Sequence, residues 1–249
     1  MTRRLAATVA LLLISAVPWD SGNAQPRGGD GYFFRQPRAT FALRGGAVRP
    51  DANSELFDFV SQQLTVDRGD FLSLGGVADI SVALKDRREL QFTAGVSSRR
   101  VGSEYRDFID NNDRPIEQST TFRRVPLTLG LKYNLLPAGR SVSRYAWIPS
   151  RVVPYVAAGG GAMNYRFSQR GDFVDFQTMD VFADRFETKG WAGMAYGAFG
   201  TNWSLSRNVG LNTELRYDHA RGPTGQDCQG FDRISLSGLG LTAGIFFRL

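Results

Sequence analysis

The sequence contains one cysteine, Cys228, and one histidine. A single cysteine excludes a disulfide framework and a cysteine-based zinc site, so packing and hydrogen bonds must hold the fold. Beyond the first two dozen residues no stretch is apolar enough to cross a bilayer as a helix, which excludes a helical membrane protein. The basic residues are scattered singly and the formal net charge is only +6, so nucleic-acid binding is not expected.

The N-terminus has the pattern of a secretory signal peptide. Two arginines precede an apolar run over residues 5–17, and a polar region of small residues then ends at Ala24. We therefore predict a signal peptide over residues 1–24. No cysteine follows the apolar run, so a lipoprotein anchor is not expected.

Alternation of apolar and polar residues is the strongest pattern in the remaining sequence. It is clear in the stretches ELQFTAGVSSR, RVPLTLGLKYNL, VGLNTELRYD and GLGLTAGIFFRL. A period of two predicts strands with two unlike faces. Weaker versions occupy residues 38–49, 70–84, 151–168 and 186–205. Together these stretches predict about eight strands.

The connections between the predicted strands differ in length. Only KDRR separates the second strand from the third, and only SRN separates the sixth from the seventh. Four other connections, near residues 50–69, 101–117, 169–185 and 222–232, are long and polar. The alternation predicts a rim of short turns opposite a rim of long loops.

These features together predict an all-β fold, an eight-stranded antiparallel up-and-down transmembrane β-barrel. A soluble, secreted, lipocalin-like ligand-binding barrel also alternates, with apolar residues inside, and remains the alternative. The polar face of the clearest strands is mainly Gly, Thr, Ser and Asn, with few charges. Such a face suits a crowded lumen better than a soluble exterior, so we favour the transmembrane barrel.

The signal peptide, VPLTLGLKYNLLP, PYVAAGGGAMNY and the closing GLTAGIFFRL resemble the small outer-membrane β-barrels of the OmpA, OmpX and OmpW kind. The resemblance implies a periplasmic N-terminal segment over residues 25–37 and a barrel over residues 38–249, with periplasmic turns and extracellular loops. It also implies a monomer in the outer membrane of a Gram-negative cell, in contact with lipid and lipopolysaccharide. The last strand would carry the signal that the barrel-assembly machinery recognises.

Side chains fill the interior of an eight-stranded barrel, so a wide porin channel is not expected, although a narrow gated path stays open as an interpretation. Charged residues on the inner face need partners of opposite charge. We expect Glu89 to pair with Lys132, and Glu214 with Arg216 or Arg44. The phase of the strands predicts an inner polar network of Arg44, Asp79, Glu89, Arg99, Arg124, Lys132, Glu214, Arg216 and Arg248.

Two further motifs have ordinary structural interpretations. RGDF occurs at residues 68–71 and 170–173, where Gly-Asp is typical of turns and an aromatic residue suits a membrane interface. The stretch DFIDNND could offer oxygen ligands to calcium, yet it lacks the spacing and the glycine of an EF-hand loop. We therefore expect a turn, and we predict no metal site and no cofactor. The oxygen-bearing residues of that stretch are Asp107, Asp110, Asn112 and Asp113.

An enzymatic function would depend on His219, the one histidine of the sequence. It shares the outward phase of its strand, and Ser235 and Ser237 lie on the outward phase of the next one. This arrangement resembles outer-membrane lipid A deacylases, which place a histidine and a serine on the outer surface of the barrel. Those enzymes carry the two residues two positions apart on one strand, where this sequence has Arg221. We predict a protein without enzymatic activity, with a lipid A-modifying acyl esterase as the alternative.

Overall fold

The computed structural model describes residues 33, 35–85, 87–109, 113–143, 146–175, 178, 180–228 and 230–249. The predicted signal peptide lies outside the described residues. Within them no helix is long and apolar enough to span a bilayer. The helices are α1 (Glu55–Gln63) and two 3-10 turns, Arg68–Phe71 and Gln226–Cys228. The strands are β1 (Ala39–Pro50), β2 (Ser73–Ala83), β3 (Arg88–Ile109), β4 (Pro115–Asn134), β5 (Gly139–Ser143), β6 (Ala146–Pro149), β7 (Val152–Val174), β8 (Val181–Ser204), β9 (Val209–Gly222), β10 (Ile234–Ser235) and β11 (Gly238–Arg248).

Eight of these strands form a closed antiparallel ring in the order β1, β2, β3, β4, β7, β8, β9 and β11. Each strand pairs with its neighbour in the chain, and β11 closes the ring against β1 from Thr40 opposite Arg248 to Pro50 opposite Gly238. β5 and β6 form a separate hairpin, and the short β10 pairs with β9. The predicted eight-stranded antiparallel up-and-down barrel is confirmed.

The two faces of the barrel wall differ in polarity. Leu129 and Leu131 on β4 point outward and are 53% and 56% exposed, whereas Thr128, which precedes Leu129 on the opposite face, is 1% exposed. On β3, Phe92 is exposed and Thr93 is buried in the same way. Apolar side chains therefore cover the outside and polar side chains fill the inside, as in a transmembrane β-barrel. A soluble lipocalin-like barrel requires the reverse arrangement, so that alternative is wrong.

The wall of the barrel is taller on one side than on the other. β3, β4, β7 and β8 contain 22, 20, 23 and 24 residues, and their four partners contain only 11 to 14. A tilted strand needs about ten residues to cross the apolar layer, so the four long strands project well beyond it. We call these projecting strands the tall wall.

The tall wall corrects two of the predicted loops. The stretches 101–117 and 169–185 are mainly continuations of β3, β4, β7 and β8 rather than loops. The apolar phase inverts there, because Tyr165 and Phe167 point inward while Arg166 and Arg170 point outward. In the part of each long strand nearer the short turns the apolar residues point outward, and in the projecting part they point inward. This change interrupts the period-two pattern, so the projecting part is not recognisable as a strand in the sequence.

Helix α1 and the connection before β11 fill the mouth of the barrel opposite the tall wall. Leu56, Phe57 and Val60 of α1 are buried. The Phe57 ring lies edge-on to Phe71, Phe122 and Phe167 at centroid distances of 5.1, 5.3 and 5.4 Å, a favourable aromatic arrangement. These four rings, which we call the phenylalanine layer, close the long-loop end of the lumen.

The opposite end of the barrel is also covered. The β5–β6 hairpin lies there, and the Trp147 backbone exchanges two hydrogen bonds of 2.8 Å with Phe33. Trp147 itself is 5% exposed and its ring lies 6.0 Å from that of Phe33. The segment that precedes β1 is therefore attached to the hairpin beneath the short-turn rim.

The outward apolar face of β4 supports a test of the membrane-facing surface. Leu129→Arg places a charge in the middle of the apolar band and should cost about 2–4 kcal/mol of folding free energy. Thr121→Arg is the matched control, because Thr121 shares the outward phase of β4 but lies beyond the last apolar residue, Val125. Urea unfolding in lipid vesicles measures the difference, and equal losses for the two variants would contradict the position assigned to the apolar band on this outward face.

Candidate functional site

The centre of the lumen contains one arginine between two carboxylates. Arg44 Nη2 lies 2.5 Å from Asp79 Oδ2, and its Nη1 lies 2.8 Å from Glu214 Oε1. All three side chains are at most 4% exposed. Asp79 is on the neighbouring strand β2, whereas Glu214 is two strands away in the other direction, on β9. Gly244 of β11 stands directly opposite Arg44 and presents no side chain between Arg44 and β9.

Neutral side chains complete the bonding of both carboxylates. Thr93 Oγ1 and Gln91 Nε2 donate to Asp79 Oδ1 at 2.6 and 3.1 Å. The Tyr155 hydroxyl donates to Glu214 Oε2 at 2.8 Å. Buried charges that are paired and hydrogen-bonded in this way are held in one arrangement inside the lumen.

A second ion pair lies nearer the short-turn end. Lys132 Nζ lies 3.1 Å from Glu89 Oε2, the pairing expected from the sequence, and 4.3 Å from the centroid of the Tyr155 ring. Asn134 Nδ2 donates to Glu89 Oε1 at 2.6 Å. Below this pair, Arg248 donates to the Ser204 hydroxyl at 2.5 Å. The lower lumen is therefore crossed by side chains as well.

A third layer lies between the central cluster and the phenylalanine layer. Arg216 Nε lies 2.7 Å from Asp218 Oδ1, and its guanidinium lies over the Tyr196 ring at 3.7 Å from the centroid. Arg124 Nη1 donates to the carbonyl oxygen of Leu236 at 2.9 Å. The predicted network does not include Asp218 or Tyr196. The alternation of VGLNTELRYD already places Asp218 on the polar face of its strand, whereas Tyr196 belongs to a strand whose phase the sequence leaves unsettled.

The structure places eight of the nine predicted network residues on the inner face and corrects the ninth. Arg99 is exposed, and its Nε donates to the Asp70 carbonyl oxygen at 3.1 Å. Arg99 has the inward phase of β3, but β2 begins only at Ser73, so the ring is not closed at that height. The eight are Arg44, Asp79, Glu89, Arg124, Lys132, Glu214, Arg216 and Arg248.

The two motifs in the connections contribute no ligand cluster. Among the described residues no group of three or more His, Cys, Asp or Glu side chains is placed to hold a metal ion. Asp110 and Asn112 lie outside the described residues, Asp107 is exposed, and Asp113 has a positive φ of 58°, as in a turn. The first RGDF forms the 3-10 turn after α1, and the second lies within β7.

The strand register brings His219 close to Ser237. Ser237 Oγ lies 3.4 Å from His219 Nδ1, and it also accepts a hydrogen bond of 3.1 Å from the Ala220 backbone amide. Ser237 and Ser235 are 4% and 1% exposed, so neither serine is presented to lipid as the sequence pattern suggested. No carboxylate forms an ion pair with His219 within the described part of the chain. A nucleophile also needs access to its substrate, and the buried Ser237 hydroxyl has little of it.

A separate apolar cavity of about 220 Å³ lies between α1, the tall wall and the side chains of Asp227, Cys228 and Phe231. Phe59 contacts Phe231 at 5.4 Å, and Phe173 contacts Phe186 at 4.5 Å between ring centroids. Gln118 lines the cavity with an Oε1 atom that has no hydrogen-bond partner among the described residues. Because a cavity of about 150 Å³ holds benzene, this one has room for roughly nine non-hydrogen atoms.

Comparisons with known proteins find similarity in fold alone. No family model matches the sequence, and no curated protein matches it. Among solved structures, Neisserial surface protein A is 10% identical, with 89% of this chain and 99% of that chain covered and a TM-score of 0.43. The outer membrane protein OprG from Pseudomonas aeruginosa is 14% identical, with 87% and 99% covered and a TM-score of 0.45. A major outer membrane protein from Thermus thermophilus is 11% identical, with 85% and 99% covered and a TM-score of 0.43.

These solved structures are small outer-membrane β-barrel proteins. The identities and TM-scores are low, so the fold assignment depends on the strand register and on the polarity of the two wall faces described above.

The central cluster gives a stability prediction. Arg44→Met leaves Asp79 and Glu214 buried without their cation and should cost about 3–5 kcal/mol. The triple variant Arg44→Met, Asp79→Asn, Glu214→Gln removes all three charges and should recover most of that loss. Urea unfolding of both variants in lipid vesicles compares the two free energies, and an equal loss in both would show that the ion pairs do not hold the lumen together.

Proposed function

We propose that the protein is an integral outer-membrane β-barrel with a closed lumen, acting through its structure and its exposed surface. The apolar band supports membrane insertion, because outward residues such as Leu129, Leu215 and Leu241 remain 43–62% exposed when the ring is closed. By analogy with barrels of this kind, the short turns face the periplasm and the tall wall faces the exterior. The last strand would then guide assembly, as the sequence resemblance implies.

The closed lumen is the observation that carries this proposal. Arg44 is held between Asp79 and Glu214, and Glu214 accepts a hydrogen bond from Tyr155 of β7 on the opposite side of the ring, so this cluster crosses the middle of the barrel. The phenylalanine layer and α1 cover one end, and the β5–β6 hairpin covers the other. Opening a path would require breaking buried ion pairs as well as moving α1. A structural and surface role therefore fits better than narrow gated permeation.

Electrical recording separates these two roles. Purified protein reconstituted into planar lipid bilayers should produce no discrete conductance steps, because charged and aromatic side chains block the lumen at several levels. A wide, general porin recorded in the same bilayers is the positive control. Reproducible single-channel steps from this protein would favour the gated path over the closed barrel.

We also propose that the protein is not an enzyme. The enzymatic alternative depends on His219 and Ser237, the histidine and the serine that lie close together on β9 and beside β11. The buried position of Ser237 supports this view, although the contact of 3.4 Å between the two side chains keeps acyl-ester hydrolysis as the second candidate.

Lipid analysis tests the second candidate directly. After expression of the wild type and of His219→Ala in a Gram-negative host, mass spectrometry of extracted lipid A should show identical acyl chains. Both proteins must first show heat-modifiable gel mobility, which demonstrates a folded barrel. Loss of an acyl chain with the wild type but not with His219→Ala would establish the enzymatic function.

A further inference from the structure

Three cations lie directly beside one another on the outer surface of the tall wall. The register places Arg123 of β4 opposite Arg166 of β7, and Arg166 opposite Lys189 of β8. All three residues are exposed and have the outward phase of their strands. We call them the basic row. Like charges directly opposite each other on antiparallel strands destabilise a sheet, so this row needs a compensating anion.

The protein supplies little of that compensation. Glu187 contacts two members of the basic row, because its Oε1 lies 2.9 Å from Lys189 Nζ and 3.6 Å from Arg166 Nε. The other carboxylate oxygen of Glu187 contacts Arg185, so Arg166, Arg185 and Lys189 share this single carboxylate. The hydrogen bond from Lys189 and the nearby arginines lower the pKa of Glu187, which therefore stays ionised near neutral pH. Arg123 forms no ion pair with any described residue.

The basic row lies where the apolar band ends. Arg123 occupies the next outward position after Val125, and Lys189 the next after Trp191. Trp191 is 57% exposed on the same outer surface. Aromatic residues of this kind mark the interface between hydrocarbon and lipid headgroups. The three cations are therefore at the height of the headgroups in the outer leaflet.

Position and charge together define the chemistry of the partner. Arginine side chains bind phosphate oxygens through paired hydrogen bonds, and lysine adds a point charge. Three neighbouring strands span about 10 Å, a distance that one phosphorylated headgroup can bridge. We infer that the basic row binds the phosphate groups of an anionic glycolipid of the outer leaflet. This inference rests on the proposed membrane placement.

Lipid-dependent stability tests the inference with two matched triple variants. One removes the basic row through Arg123→Gln, Arg166→Gln and Lys189→Gln. The control removes the same charge at the short-turn end of the barrel through Arg88→Gln, Arg140→Gln and Arg151→Gln, all of which are exposed. Each protein is reconstituted in phosphatidylcholine bilayers with or without bisphosphorylated lipid A. Heat-modifiable gel mobility gives the unfolding midpoint, and native mass spectrometry gives the amount of bound lipid A.

Lipid A should raise the unfolding midpoint of the wild type and of the control variant but not that of the basic-row variant. Bound lipid A should fall on the order of a hundredfold when the row is removed, and high salt should weaken binding to the wild type. In phosphatidylcholine alone the basic-row variant should be at least as stable as the wild type, because cross-strand repulsion is gone.

Three results would overturn the inference. The first is an equal gain from lipid A in the wild type and the basic-row variant, and the second is an equal loss of lipid A binding in the control variant. The third is the same gain from inorganic phosphate in phosphatidylcholine bilayers, which would indicate a soluble anion instead of a lipid. Failure of the membrane placement itself is distinguishable, because no protein would then show heat-modifiable folding in any bilayer.

Discussion

The structure depends on one constraint, which is that hydrocarbon offers no hydrogen-bond partner to a strand edge or to a charge. The backbone meets this constraint by closing the ring, with β1 paired to β11 along nearly all of both strands. The charged side chains of the lower strands meet it by turning inward, where Arg44, Asp79 and Glu214 neutralise one another. Closure of the sheet and closure of the lumen thus have the same physical cause.

The unequal height of the wall separates the two parts of the molecule. In the membrane, the strands face lipid with apolar residues and the lumen with polar ones. Above it, the inward face of β7 becomes apolar at Tyr165 and Phe167, which pack in the hydrophobic core beneath α1. The outward face becomes basic at the same height. The β3–β4 and β7–β8 extensions therefore supply two rings of the phenylalanine layer, one wall of the apolar cavity and the basic row.

Much of the fold could be predicted because side-chain alternation is a local property of a strand. Residues 90–96 and 125–135 reveal their two faces without any knowledge of their neighbours. The extension of the tall wall could not be predicted, because α1 covers the inner face there and water covers the outer one, which inverts the pattern. The prediction that Arg99 lies in the lumen was wrong for a related reason. Arg99 has the inward phase of β3, but the neighbouring strand β2 does not extend above Ser73, so no wall encloses Arg99 on that side.

For the candidate site too, the local sequence pattern accounts for some features and the contacts between strands account for the others. The sequence by itself determined that the strands have two faces and which charges lie on the inner face of the clearest ones, because a period of two depends only on neighbouring residues. The sequence also predicted the pair of Glu89 with Lys132, but only the tertiary structure decided that Glu214 pairs with Arg44, past Gly244 of β11, while Arg216 pairs with Asp218. The same holds for the basic row and for the contact between His219 and Ser237. Each joins residues distant in the chain, and strand register, which no local pattern encodes, brings them together.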